Sequence, residues 1–298
     1  MTLSVVVPTL NDRKRLTRCL DTLTERASDA EVIVVNGPSA DGTTGMVHDR
    51  DDVDVLVQVA DRNVNVARNA GLEVANGDIV ALVGSNVRID DSWVGAIRTA
   101  IADGADAVTG PIHRTLRGGV TVDRPTVISI AGQEVIDLNC RNVAFDRGSI
   151  DALDGFDEYL TRGGARDVAH RLARQDRTVR WDPDVSAQAG PEDDREENWG
   201  ETYRSFAYCL VKNYGPRPSV LRQTGGRALA DGGATASGIA RGERTPTRWL
   251  SEGRAVLTNA VLGSKDGIVA RVRDRSERRN PTGISARDDR AVERYDWR

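Results

Sequence analysis

Six positions in the first third of this chain stand where an apolar run gives out. Asn11 follows the run Leu3 to Val7, Asn36 follows Glu31 to Val35, and Arg62 follows Val53 to Val59. Gly84, Ser85 and Asn86 follow Ile79 to Val83. If the runs are parallel strands, these residues share the edge at which open α/β sheets hold ligands. Their chemistry is that of a binding surface, because amides and a hydroxyl exchange hydrogen bonds and a guanidinium pairs with anions. Groups able to take a proton from a substrate hydroxyl come elsewhere, at Asp90, Asp91, Asp157, Glu158, Asp167 and His170. Asp167 and Glu158 are the choices for a base. The competing reading has Asp157-Glu158 ordering a loop and Asp167 opening a helix. His170 sits in a predicted helix and reads as packed, while His48 and His113 have no motif around them and read as structural.

The elements that must position these residues follow from periodicity. Leu3 to Val7, ended by Pro8, is a short continuous apolar run of the kind a strand buried on both faces shows. Leu16, Cys19, Leu20 and Leu23 then recur at helical spacing, and Asn36-Gly37-Pro38-Ser39 closes the second strand. Val64 to Ala75 predicts a helix stopped by Asn76-Gly77. A fourth strand and a helix from about Asp90 or Asp91 complete a βαβ series, which argues for a largely parallel sheet. Further on, Ala107 to Thr109 and Thr178 to Trp181 predict short strands, and Asp167 to Gln175 a helix. After the acidic stretch 191–197 the sheet signals stop. Residues 199–214 and 246–262 predict helices, separated by a Gly-rich loop at Gly225, Gly226, Gly232, Gly233 and Gly238. The domain boundary is therefore placed near Asp194, with an α/β domain over 1–194 and a helical extension over 195–298. In that extension Trp199, Tyr203, Phe206 and Tyr208 read as packing, with stacking on an acceptor sugar as the other possibility.

Composition narrows the function classes. No segment reaches the 18 apolar residues of a membrane span, and the N-terminus reads as a strand and not as a signal peptide. Three cysteines without a CxxC argue against a disulfide framework or a zinc site and for a reducing compartment. Lysine is nearly absent, with three residues among 41 basic ones, and net charge is -4, a balance like that of a GC-rich halophile's proteins. Residues 241–298 carry 14 Lys plus Arg against 9 Asp plus Glu, and the rest of the chain 27 against 36. A basic tail on an acidic body points to an anionic contact, with a solvated Arg-rich helix as the alternative. No G-x-G-x-x-G follows the first strand, which argues against a dinucleotide oxidoreductase, and no basic domain or motif supports nucleic-acid binding.

Taken in order, Ser4 to Asn11 (SVVVPTLN), Glu31 to Thr43 (EVIVVNGPSADGT), Ala67 to Gly71 (ARNAG), Gly77 to Trp93 (GDIVALVGSNVRIDDSW), Leu153 to Leu160 (LDGFDEYL) and Trp181 to Val185 (WDPDV) resemble glycosyltransferase family 2. Members of that family have the GT-A fold. The tail residues Arg278-Arg279-Asn280-Pro281 and Arg294-Tyr295-Asp296 are similar to archaeal enzymes that build lipid-linked glycans for N-glycosylation.

The resemblance implies an inverting transferase. Its donor is a nucleotide sugar and its acceptor a polyprenyl-linked glycan for N-glycosylation or surface-layer assembly. The sugar is a hexose or hexuronic acid, and the setting is the cytoplasm or, peripherally, the inner membrane face. Pro8, Thr9, Asn11 and Asn36 are expected at the base, Arg62 and Arg68 at the nucleotide or diphosphate, and Ser85 and Asn86 beside them. Departures from the family pattern are systematic. Gly84 and Asn86 replace both acids of its metal-binding Asp-x-Asp, Gly164 and Ala165 replace its Glu-Asp base motif, and Ala189 replaces its late His. Metal use is therefore expected to be weak or absent, with Mg or Mn held at most by neutral oxygens. Arg62, Arg68 and Arg88 are then expected to stabilise the leaving diphosphate. The rival reading is a non-catalytic module that keeps the cleft or only the fold. The tail segment 246–279, with Trp249, Leu250, Val256, Leu257, Val261 and Leu262 at helical spacing followed by five arginines, is expected to meet an anionic membrane, with a helix that packs on the catalytic domain as the alternative.

Overall fold

The apolar runs at the N-terminus become strands because they can be covered on both faces. A computed structural model of the protein describes residues 1–116, 119–122, 125–190, 198–220, 222–223, 225–226 and 246–298. Strands β1 (Leu3–Thr9), β2 (Glu31–Asn36), β3 (Val55–Val59) and β4 (Ile79–Val83) are buried along nearly their whole length. Helices α1 (Arg13–Arg26), α2 (Thr43–His48) and α3 (Val64–Val74) connect them. α1 buries Leu16, Cys19, Leu20 and Leu23, the face its spacing predicts. Strand β5 (Val87–Ile89) and helix α4 (Trp93–Ala102) follow, the helix starting two residues beyond Asp91. Asp90 instead accepts from Ser186 and Gln188.

Strands β6 (Ala107–Thr109), β7 (Ile112–Leu116), β8 (Gly119–Val122), β9 (Val127–Ile130), β10 (Gln133–Ile136) and β11 (Asn142–Asp146) come next. Helices α5 (Arg147–Ala152) and α6 (Gly164–Arg174) and strands β12 (Val179–Trp181) and β13 (Ala187–Ala189) complete the α/β part. Eight strands form one sheet in the order β12-β6-β11-β4-β1-β2-β3-β14, where β14 is Ala291–Asp296. Its pairs are parallel except those made by β11 and β14. A second sheet runs β5-β13-β7-β8. The largely parallel sheet agrees with the expected architecture. The antiparallel β11 is not legible beforehand, because five residues give too short a pattern to fix a direction.

The chain divides into two compact units, one of residues 1–128, 135–193 and 282–298 and the other of 129–134 and 194–281. Most of the second unit's described part is a helix pair, α7 (Trp199–Tyr214) and α8 (Pro246–Arg273). Arg204 pairs with Asp266 at 2.8 Å, and Arg271 donates to the carbonyls of Lys212 and Asn213 at the end of α7. Tyr203, Phe206 and Tyr208 are buried there, so these aromatics pack. α8 runs eleven residues past the expected end at 262. The acidic stretch 191–197, residues 227–245 of the Gly-rich loop, and the side chains of Trp249 and Leu250 lie outside the described residues.

The sequence reading assigns all of 195–298 to a helical extension, and residues 282–298 depart from it. They return to the first unit and end in β14, antiparallel to β3. Composition conceals this strand, whose Ala291 to Asp296 is charged and mostly exposed. It forms because β3 offers an open edge of backbone donors and acceptors. Side chains then fasten it. Tyr295 and Trp297 meet His48 edge-on with ring centroids 4.3 and 5.5 Å away, and Arg298 reaches Glu31 and the carbonyl of Val74.

Candidate active site

The loops after β1 and β2 are joined by the residues expected to read a base. Asn11 takes the left-handed conformation at φ 51°, which asparagine tolerates. Its side-chain carbonyl accepts from the Ala40 amide at 2.7 Å, and its own amide donates to the Ser39 hydroxyl at 2.8 Å. Ser39 in turn donates to Asn36, whose amide nitrogen donates to Thr44 at 3.0 Å. Asn36 is 1% exposed, so it holds the loops together and presents little of itself to a ligand. Thr9 is buried beside it with no partner for its hydroxyl, and Pro8 is half-buried.

The turn after β4 is equally committed. The Ser85 hydroxyl donates to Asp12 at 2.6 Å, and Asp12 also pairs with Arg15 at 2.5 Å. The Gly84 amide donates to the Arg141 carbonyl at 3.1 Å, and Asn86 is half-buried. Among the described residues no three His, Cys, Asp or Glu side chains come together to hold a metal. A hard divalent cation needs several oxygen ligands, mostly anionic, and this turn supplies none of those charges. The residues present do not fit the metal that the family resemblance implies.

A cavity of about 480 Å³ opens beside α3 and the start of α6. Asn65, Arg68, Asp137, Asn139, Arg141 and Arg162 give its wall a polar lining, with Gly163, Gly164 and Ala165 at the helix start. Asn63 caps α3 by accepting from the Asn65 amide, which sets the helix so that Asn65 and Arg68 share one face. The Asn65 amide nitrogen donates to the Leu160 carbonyl at 2.6 Å, and its oxygen accepts from Arg68 at 2.8 Å. Arg68 is 9% exposed, lies 5.2 Å from the Phe156 ring centroid, and keeps a buried Nε–H with no partner. Such an orphan donor is costly unless something accepts from it. A side chain at Gly164 would force Asn65 to shift, because a Cβ would fall 2.4 Å from the Asn65 Oδ1.

The two carboxylates chosen as base are elsewhere and occupied. Asp167 and Arg171 form an ion pair at 2.8 Å with neither side chain exposed, and Arg171 also donates to the carbonyls of Leu153 and Gly155. Glu158 accepts from Arg290, Arg287 and Asn69. Neither is on the cavity wall, and both are engaged in ion pairs and hydrogen bonds that hold loops. Asp157 accepts from Thr282 and from the Tyr159 amide, and His170 is buried in α6. Arg62 and Arg88 are exposed and, like Pro8, Thr9, Asn11, Asn36, Ser85 and Asn86, are not among the cavity's lining residues. Of the expected site residues only Arg68 lines the cavity. Sequence reasoning misses Asn65, Asp137, Asn139, Arg141 and Arg162. For Asn139 and Arg141 the one signal is Asn139-Cys140-Arg141-Asn142, a polar cluster at the mouth of β11, which means nothing until that strand is placed beside β4.

Residues 4–149 match the model of glycosyl transferase family 2. Glycosyltransferase AglE of Haloferax volcanii is 28% identical over 130 residues, 41% of this chain and 43% of its own length. Glycosyltransferase GlyA of Streptococcus pneumoniae is 27% identical over 105 residues, 34% of this chain and 15% of its own. The chain thus spans less than half the length of these curated relatives. Among solved structures, S. aureus TarS 1-349 in complex with UDP-GlcNAc superposes with a TM-score of 0.61 at 18% identity, covering 92% of each chain. The mannosyltransferase PcManGT of Pyrobaculum calidifontis, in complex with GDP-Man and Mn2+, gives 0.56 at 18% identity, covering 88% of this chain and 86% of its own. The fold is GT-A.

Proposed function

We propose that this relative of the family 2 glycosyltransferases moves a sugar from a nucleotide donor to an acceptor hydroxyl, with the donor's diphosphate and sugar in the cavity beside Arg68. The observation that carries this reading is the cavity itself. Its volume, about 480 Å³, is in the range of small-molecule sites, and its wall includes Arg68, a buried guanidinium that keeps an unused donor. The TarS and PcManGT complexes hold UDP-GlcNAc and GDP-Man, which supports a nucleoside-diphosphate sugar as donor. The loops joined by Asn11, Ser39 and Asn36 form the floor for the base, and Thr9 Oγ beneath them is the one buried hydroxyl there left to donate.

Asp137, the carboxylate on the cavity wall, takes the acceptor proton as the acceptor oxygen attacks the anomeric carbon with inversion. The acceptor is a lipid-linked glycan of N-glycosylation or surface-glycan assembly, met at the cytoplasmic membrane face, and the sugar is a hexose or hexuronic acid, as the sequence resemblance implies. Helix α8 supports the membrane part. Leu257, Val261, Ile268 and Val272 are exposed on it at spacings of 4, 7 and 4, with Arg254, Lys265 and Arg273 exposed alongside. This is the pattern of a helix lying in an interface. No helix among the described residues is long and apolar enough to cross a membrane.

Calorimetry with UDP, GDP and their sugars, followed by transfer assays on lipid-linked acceptors, tests the reading. Nucleotide binding with turnover that Asp137→Asn reduces about a hundredfold or more is the expected result. A folded protein that binds none of these nucleotides sinks it. A second reading, a module that binds nucleotide without turnover, is favoured by one observation: Asp167 and Glu158 are locked in ion pairs and a side chain at Gly164 would force Asn65 to shift. Binding without transfer across a broad acceptor panel selects that reading.

A further inference from the structure

Gly84 and Arg141 face one another where β4 and β11 part. The pair Val83 and Asn142 ends the antiparallel register, and the next residues are joined by the Gly84 amide and the Arg141 carbonyl. A Cβ built on Gly84 would lie 3.0, 3.1 and 3.3 Å from the Cβ, Cγ and Cδ of Arg141. The arginine stem therefore covers position 84, and a side chain there, a carboxylate included, would crowd it and require it to yield. Arg141 also lines the cavity, as do Arg68 and Arg162, and Asp137 is the one carboxylate among the described lining residues.

We infer that Arg141 supplies, together with Arg68, the positive charge that a divalent cation would otherwise bring to the leaving diphosphate, and that glycine at position 84 makes room for it. This rests on the reading above that the cavity receives the donor. In the transfer step the acceptor oxygen bonds to the anomeric carbon while that carbon's bond to the β-phosphate oxygen breaks. The electron pair stays on the diphosphate, and the acceptor proton goes to the base. One more negative charge appears on the leaving group, and a guanidinium is suited to it, being charged at every relevant pH and able to make two parallel hydrogen bonds to phosphate. Arg68, which lines the same cavity, adds a second guanidinium. A cation bound beside Arg141 would be repelled by it, with no carboxylate at 84 or 86 to compensate.

Full-length protein titrated with UDP, UMP, GDP and inorganic pyrophosphate, in EDTA and then in excess Mn2+, tests this. UDP affinity is expected to agree within about twofold between the two conditions. Arg141→Ala should weaken UDP by about 10- to 100-fold and UMP much less, because only the diphosphate spans the site. Arg141→Lys should recover part of the loss, as the charge remains and the fork does not. Gly84→Ala should weaken UDP in the wild-type background and add little to Arg141→Ala. Thermal melts identify any variant that is unfolded, and Arg141→Lys stands in if the alanine variant is. UDP binding that ignores Arg141, or that appears only with Mn2+, overturns the inference and leaves the donor reading intact. Pyrophosphate binding that requires Arg141 without binding of any nucleotide keeps the arginine site and overturns the donor reading. No binding of either overturns both.

Discussion

Asp167 illustrates how a residue's surroundings decide between catalysis and structure. An acid placed near the expected base position reads as a candidate, yet its carboxylate pairs with Arg171 where neither side chain is exposed. Breaking one partner of a buried pair leaves an uncompensated charge. Asp167→Asn is therefore expected to lower unfolding free energy by about 3 kcal/mol while leaving transfer per folded molecule unchanged. Urea unfolding and a transfer assay on the same preparation check it, and a rate loss at unchanged stability would return Asp167 to the mechanism. Gly164→Ala carries the opposite lesson. The added methyl meets Asn65, which orients Arg68, so the variant should lose about 1–3 kcal/mol to overpacking and also bind UDP more weakly. Full UDP affinity in that variant would mean that Asn65 does not set Arg68.

At the scale of elements, β14 shows how the sheet is finished by a segment whose residues do not look like a strand. Glu31 on β2 is one of its fastenings. Burial alone would raise the pKa of Glu31, but the Ser4 hydroxyl, the Asn76 amide and Arg298 together outweigh it and hold it below the ordinary 4.5. A carboxylate more acidic in the folded than in the unfolded chain adds stability above the unfolded pKa. That stability is lost as pH falls through the lowered folded value. The melting midpoint of the wild type should thus exceed that of Glu31→Gln at pH 7, and the gap should close as the pH drops below about 4.5. Melts of both proteins across that range decide it. A gap that persists unchanged at pH 2 would show that Glu31 contributes by packing instead. The same strand warns against removing the C-terminal residues as a probe, because Arg290 within that segment is fully buried against Glu73 and Glu158.

For the molecule as a whole, charge and exposed apolar surface meet on α8. Replacing Leu257, Val261 and Val272 by Gln leaves the sheet edge untouched, since all three are exposed, and should reduce flotation with anionic liposomes at low salt. Each basic residue near such a surface contributes about 1 kcal/mol, so wild-type flotation should also fall as salt rises. Equal recovery of wild type and variant in the soluble fraction would leave the stripe without a membrane role.

What the sequence determined by itself is whatever rests on local pattern. Continuous apolar runs placed β1 to β4, and the spacing of Leu16, Cys19, Leu20 and Leu23 placed α1. Arg68 was legible for the same reason, since it lies within a motif and its helix face follows from period. The cavity's other polar residues were not. Asp137, Asn139 and Arg141 belong to the approach to β11, whose antiparallel insertion between β4 and β6 brings residues 84 and 141 together across 57 positions of chain. Long-range pairing of that kind depends on which edge remains open after the first strands have packed, and β14 depends on it too. What a carboxylate has for a partner depends likewise on packing: Arg290 reaches Glu158 from 132 positions away, whereas Arg171 lies one helical turn from Asp167 and only the burial of that pair needed the fold.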